Sequence, residues 1–186
     1  DSGAVIGDPT EAALVVLAAK LGVDAEETRR TYPRLAEVPF VSEYKFMATF
    51  HEMISAEGTP VLRCYVKGAP DVLIDRATTL RHPDGTLTPI TEENRHLALE
   101  ANDRIAAAGE RVMVVAQRDV DPSVLQSGEN LFDYVSELTL LAMVGIVDPP
   151  RPEAKAAIAE CRSAGIRVRM ITGDHASTAA ASAAEL

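Results

Sequence analysis

The chain has 186 residues, 47% of them hydrophobic and 25% charged, with a formal net charge of -10. The apolar share supports a buried core and excludes global disorder, and the acidic balance excludes a nucleic-acid partner, which needs a basic surface. No apolar run reaches the length of a membrane span, no signal peptide is visible, and Cys64 and Cys161 stand far apart without CxxC spacing, so a reduced, cytosolic setting is expected.

In "GDPTEAALVVLAAKLGV", Asp8 is a helix cap, Pro9 suits the first helical position, and Glu11 stands three residues after the cap, as in a capping box. Leu14, Leu17, Ala18 and Leu21 repeat at helical spacing until Gly22 stops the helix. Asp24 and Glu27 open a second helix with the same spacing. The period then changes, and Pro39 opposes a helix through this stretch. Residues 45–53 predict a strand, "TPVLRCYVKG" its partner, and "SAEGT" the hairpin link between them. Pro70 begins a short helix, and "HPDGTL" is a turn between two short strands. Thr91 caps a long helix to about Ala107, closed by Gly109. Residues 111–118 and 138–147 predict strands, with a loop or weak helix, "DPSVLQSGEN", between them.

Pro149, Pro150 and Pro152 then break the chain. A helix over 153–164, closed by Gly165, and a strand over 166–171 predict a parallel crossover. The sequence therefore reads as an α+β domain, an antiparallel sheet flanked by helices, over residues 1–145. A hinge and an α/β segment follow over 146–186.

Five stretches in order, "GDPTEAAL", "PFVSEYKFM", "YVKGAPDVL", "GERVMVVA" and "GIVDPPRPEAKAAIAECRSAGIRVRMITGDH", resemble the P-type cation-transporting ATPases, in particular the calcium-pump-like branch. The resemblance spans essentially the whole chain. It implies a nucleotide-binding domain followed by an incomplete, Rossmann-like part of the phosphorylation domain. The family's phosphorylated Asp, in a DKTGT motif, is expected before Asp1, and its magnesium-binding TGDGxND motif after Leu186. The chain accordingly looks like a cytoplasmic piece of a cell-membrane pump that binds ATP and does not turn it over alone. Its partners are then ATP and the remaining phosphorylation, actuator and transmembrane domains, with Mg²⁺ held mostly outside this segment. A start on Asp1 without Met agrees with a processed or excised piece. The alternatives are a stand-alone nucleotide-binding regulatory module and a haloacid-dehalogenase-like phosphatase with a cap domain.

The residues that carry this reading each have a plainer one. Phe40 is either core packing or, as the resemblance implies, the ring that stacks on adenine. Glu11 is either the capping-box partner or the carboxylate that faces the adenine edge; one carboxylate cannot serve both fully. Lys45 and Lys67 are strand-edge lysines or pocket cations, and Gly68 allows close approach beside Lys67. Met47 reads as packing behind the pocket. Arg111 is a solvated strand end or a phosphate fork. Ser42 reads as a turn residue. Asp148 and Arg151 flank the prolines of a domain joint that the family places near bound phosphate. Thr172, Gly173 and Asp174 match the turn that steadies the transferring phosphoryl group. Tyr44 stands where many members carry Arg, which implies less positive potential around the base. His51, His82, His96 and His175 show no metal-ligand spacing.

Overall fold

A computed structural model describes residues 8–147, 152–171, 179–180 and 183–184. Asp8 caps α1 (Pro9–Lys20), its carboxylate accepting from the Thr10 and Glu11 amides at 2.8 and 3.4 Å. Asp24 does the same for α2 (Ala25–Thr31). The chain then enters β1 (Ala36–Val41), a strand that the sequence reading leaves unassigned and that tolerates Pro39. Its place explains the tolerance: β1 is the edge of the sheet, where a missing N–H costs no ladder bond. Between Val38 and Val41 one extra residue of β1 bulges out against β2.

β2 (Phe46–Ile54) and β3 (Pro60–Gly68) form the predicted hairpin, in register from Phe46 opposite Gly68 to Ile54 opposite Pro60. α3 (Pro70–Asp75), β4 (Ala77–Arg81) and β5 (Leu87–Pro89) follow. α4 (Glu92–Ala107) starts on a capping box between Thr91 and Asn94. β6 (Arg111–Val120), the short α5 (Val124–Ser127), a 3-10 turn over Leu131–Tyr134 and β7 (Leu138–Ile146) complete one seven-stranded sheet in the order β1-β2-β3-β6-β7-β4-β5. Its neighbours are antiparallel except β4 and β7, so the α+β reading holds.

The middle strands are two-faced. One face buries Phe46, Ala48 and Phe50 of β2, Leu62, Cys64 and Val66 of β3, and Val114 and Ala116 of β6, together with Leu73 and Ile74 of α3. Arg95 of α4 ties α3 down by donating to the Asp75 and Ala77 carbonyls at 3.3 and 2.6 Å, and to that of Ile74. Burial pushes the Cys64 thiol up to about 12, so this cysteine is an inert core residue.

α6 (Pro152–Ser163) ends as predicted. Gly165 is left-handed at φ 73°, and Gly165 and Ile166 amides donate back to Arg162 and Cys161 carbonyls. The expected strand over 166–171 is not formed. A strand needs a ladder partner for its backbone groups, no described strand pairs with it, and Ile171 is 97% exposed. The expected crossover from β7 is therefore absent among the described residues; β7 instead lies between β6 and β4.

Gly68 stands where no larger residue fits. A Cβ there would lie 2.5 Å from both the Lys45 carbonyl oxygen and Phe46 Cβ. Gly68→Ala is expected to destabilise the chain by about 1–3 kcal/mol through overpacking. Urea unfolding should show a lower midpoint with an unchanged slope; an unchanged midpoint would mean that this contact is looser than described.

Candidate nucleotide cleft

The second face of the middle strands is turned toward α1. Between them lies a cleft of about 480 Å³. The first turn of α1 contributes Asp8, Thr10 and Glu11; the β1–β2 corner contributes Phe40, Lys45 and Met47. The end of β3 supplies Lys67, Gly68 and Ala69, and the start of β6 supplies Arg111, Val112 and Met113. All five site residues expected in the described part, Glu11, Phe40, Lys45, Lys67 and Arg111, thus meet in one place. The other five, Asp148, Arg151, Thr172, Gly173 and Asp174, lie outside the described residues.

Phe40 answers the question left open by its sequence. It is 61% exposed, whereas Phe46 and Phe50 are fully buried. The ring is not core; the bulge in β1 leaves it at the cleft. Lys67 projects from the face of β3 opposite Leu62, Cys64 and Val66, and forms an ion pair with Glu11 across the cleft. Glu11 is therefore not the reciprocal half of a capping box. Its amide uses the Asp8 cap while its carboxylate reaches β3. Burial holds the Lys67 ammonium below the ordinary lysine value, partly offset by the Asp8 carboxylate.

Arg111 Nη1 donates to Thr10 Oγ1 at 3.1 Å, joining β6 to the same turn of α1. Lys45 precedes β2, and its ammonium lies 3.1 Å from Asp71 Oδ2 in the first turn of α3. Three cationic and two carboxylate side chains thus line a cleft in a chain of net charge -10. A second hollow of about 390 Å³ adjoins it, sharing Glu11, Met47 and Lys67 and lined further by Arg34, Thr49 and Tyr65.

Sequence reasoning missed Thr10 and Asp71, whose roles depend on partners 101 and 26 residues away. It also put Met47 behind the pocket, whereas Met47 lines it. Tyr44 was expected to thin the positive charge around a base; it does not line the cleft, and its ring packs on Phe132. Ser42 is absent from the lining as well. His51 is a structural tie. Its Nδ1 faces the Tyr32 and Pro33 carbonyls at 2.9 and 3.1 Å, so Nδ1 carries the proton, and Nε2 accepts from Thr49 Oγ1. Among the described residues no group of three or more His, Cys, Asp or Glu side chains could hold a metal ion.

The architecture is a mixed sheet with a cleft of mixed charge beneath a capped helix and one exposed aromatic ring among its lining residues. Comparison with known proteins makes the assignment specific. The family profile "P-type ATPase, cytoplasmic domain N" matches residues 1–153, and the chain belongs to this family. It is 40% identical over 183 residues to a cation-transporting ATPase of Synechocystis, covering 97% of this chain and 19% of the relative. It is 37% identical over 180 residues to a calcium-transporting ATPase of Bacillus subtilis, covering 97% of this chain and 19% of that protein. The human calcium-transporting ATPase type 2C member 1 is 37% identical over 182 residues, which is 98% of this chain and 18% of that protein. The chain thus spans about a fifth of the length of these relatives.

The depressed Lys67 has a measurable consequence. Between its folded midpoint and the ordinary lysine value, the unfolded chain binds more protons than the folded one, so stability contributed by this residue rises with pH in that window. The stability difference between the parent and a Lys67→Gln chain should therefore shift in the parent's favour as pH climbs through it. A carbon-detected titration of Lys67 Cε should place the midpoint below the ordinary lysine value; a midpoint above it would contradict the burial described.

Proposed function

We propose that the cleft binds ATP, and that the chain is the nucleotide-binding portion of a P-type cation-transporting ATPase of the calcium-pump-like branch. The observation that carries the reading is Phe40: a ring 61% exposed in a fold with buried phenylalanines beside it, standing over a cleft that gathers Lys45, Lys67 and Arg111. A purine has a π-face for that ring, and the cations suit its phosphates. Family membership and the names of the calcium-transporting relatives support the choice of nucleotide and branch.

In this reading Phe40 stacks on adenine and Glu11 accepts from the exocyclic amine. Lys67 turns from Glu11 toward the ligand, and Lys45 and Arg111 hold phosphate oxygens. The Glu11–Lys67 pair keeps both side chains in the cleft, each neutralising the other until the ligand takes over both contacts. Asp148 and Arg151 at the joint, and Thr172, Gly173 and Asp174 beyond it, steady the phosphate end when the domains close. We place that joint at 145–151, between domains spanning 1–145 and 146–186. The parent enzyme, anchored in the cell membrane, passes the γ-phosphoryl group of MgATP to an Asp of its phosphorylation domain and hydrolyses the aspartyl-phosphate to drive ion transport. Such transfer depends on positioning and charge neutralisation more than on covalent help. In this reading Mg²⁺ is held mostly by residues outside this segment. Contacts to the base are accordingly independent of the metal.

Phe40→Ala should weaken ATP binding by about 1–3 kcal/mol. It should cost far less stability than Phe50→Ala, for which a buried phenylalanine loses about 3–5 kcal/mol. Calorimetric titration with and without Mg²⁺, paired with thermal melts, separates the two effects; unchanged ATP affinity in Phe40→Ala would overturn the cleft assignment.

The chain alone should neither release phosphate from γ-labelled ATP nor retain acid-stable label. Label trapped on Asp174, or turnover abolished by Asp174→Asn, would instead identify a self-contained phosphohydrolase.

A further inference from the structure

Among the cleft cations, Lys45 has the most unusual backing. It lies not in β2 but in the turn before it, with φ 57°, a left-handed conformation that residues bearing a side chain rarely adopt. Such a backbone persists where its surroundings over-determine it. Here the Lys45 amide donates to the Val41 carbonyl at 2.9 Å, and the Lys45 carbonyl accepts from the Ala69 amide at 2.9 Å.

The side chains on either side of Lys45 add a second restraint. Tyr44 and Phe46 both pack against Phe132, in the 3-10 turn, with ring centroids 4.6 and 5.5 Å away. The Arg76 guanidinium lies over Phe46 and Phe132 at 5.1 and 5.3 Å from their centroids, and its Nη1 donates to the Val135 carbonyl at 2.8 Å. None of Tyr44, Phe46, Arg76 or Phe132 lines the cleft. α3 links the two restraints. Asp71 in its first turn meets the Lys45 ammonium, and Arg76 at its C-cap meets the rings.

We propose that the Tyr44–Phe132–Phe46 ring stack, covered by Arg76, is a positioning device for Lys45. It holds the left-handed turn so that the ammonium stands at the cleft. The inference rests on the reading of Lys45 as a phosphate-side cation. It makes Tyr44 and Phe132 positioning residues that act on phosphate recognition alone. Phe40 and Glu11, which face the base in that reading, stand on β1 and α1 and belong to no part of the stack.

Tyr44→Leu and Phe132→Leu remove a ring while keeping apolar bulk; Tyr44→Phe keeps the ring. Tyr44 is 40% exposed, so its variants test the idea even if Phe132→Leu folds poorly. Amide hydrogen exchange in the chain without nucleotide is the first readout. Protection of the Lys45 and Ala69 amides should fall about tenfold or more in the Leu variants and persist in Tyr44→Phe, with amides in the centre of β3 unaffected. The second readout is affinity: ATP binding should weaken about three- to tenfold in the Leu variants, while adenosine stays within about twofold. Unchanged protection at Lys45 and Ala69 in Tyr44→Leu would overturn the proposal. So would parallel losses for ATP and adenosine, which mark general destabilisation. A parent chain that binds neither ligand would sink the cleft reading alone, and the exchange result would then decide the positioning role.

Discussion

The two-residue alternation of β2, β3 and β6 is the constraint on which both core and cleft depend. Successive side chains of a strand point to opposite faces, so a single register decides which residues are buried and which are available to a ligand. Phe46, Ala48, Phe50, Leu62, Cys64 and Val66 fill one face. Met47 and Lys67, directly opposite each other across β2 and β3, fall on the other and line the cleft. A slip of one residue would bury Lys67 and expose Phe46. The apolar face therefore fixes the position of the cleft cation as firmly as any contact made within the cleft.

Around that sheet, the cleft is closed by contacts that are weak singly and specific jointly. α1 reaches the sheet through the Glu11–Lys67 pair and the Thr10–Arg111 hydrogen bond. The pair is only half-exposed and Lys67 loses hydration in making it, while the Thr10 bond is exposed, so these links orient more than they stabilise. Global stability rests instead on the buried apolar face, so the links can open without disturbing it. Arg63 and Asp119, paired at 2.6 Å across β3 and β6 and largely shielded, provide a firmer electrostatic tie farther along the same strands.

Much of this was legible in the sequence, for identifiable reasons. Asp8, Thr91 and Gly165 act through neighbours within a few residues, and their caps and stops appear where local chemistry puts them. The hairpin of β2 and β3 was readable from its alternation and polar link. β1 was not: Pro39 opposes a helix there, but its fit to a strand depends on the strand being an edge, which only the sheet order shows. The expected strand over 166–171 failed for the complementary reason: its apolar pattern is real, yet a strand exists only with a partner, and none is described. Five residues singled out from the sequence line one cleft, but their pairings were not readable. Glu11 with Lys67, Arg111 with Thr10, and Tyr44 with Phe132 join residues 56, 101 and 88 positions apart, beyond any local pattern.

We propose that adenine lies against Phe40 in the cleft between α1 and the sheet. Isotope-filtered nuclear Overhauser spectra of the chain with unlabelled ATP test it directly. Contacts are expected from the adenine H2 and H8 protons to the Phe40 ring and the Met47 methyl group. Contacts confined to the groove between α3 and α4, at Val72 and Leu99, would contradict it.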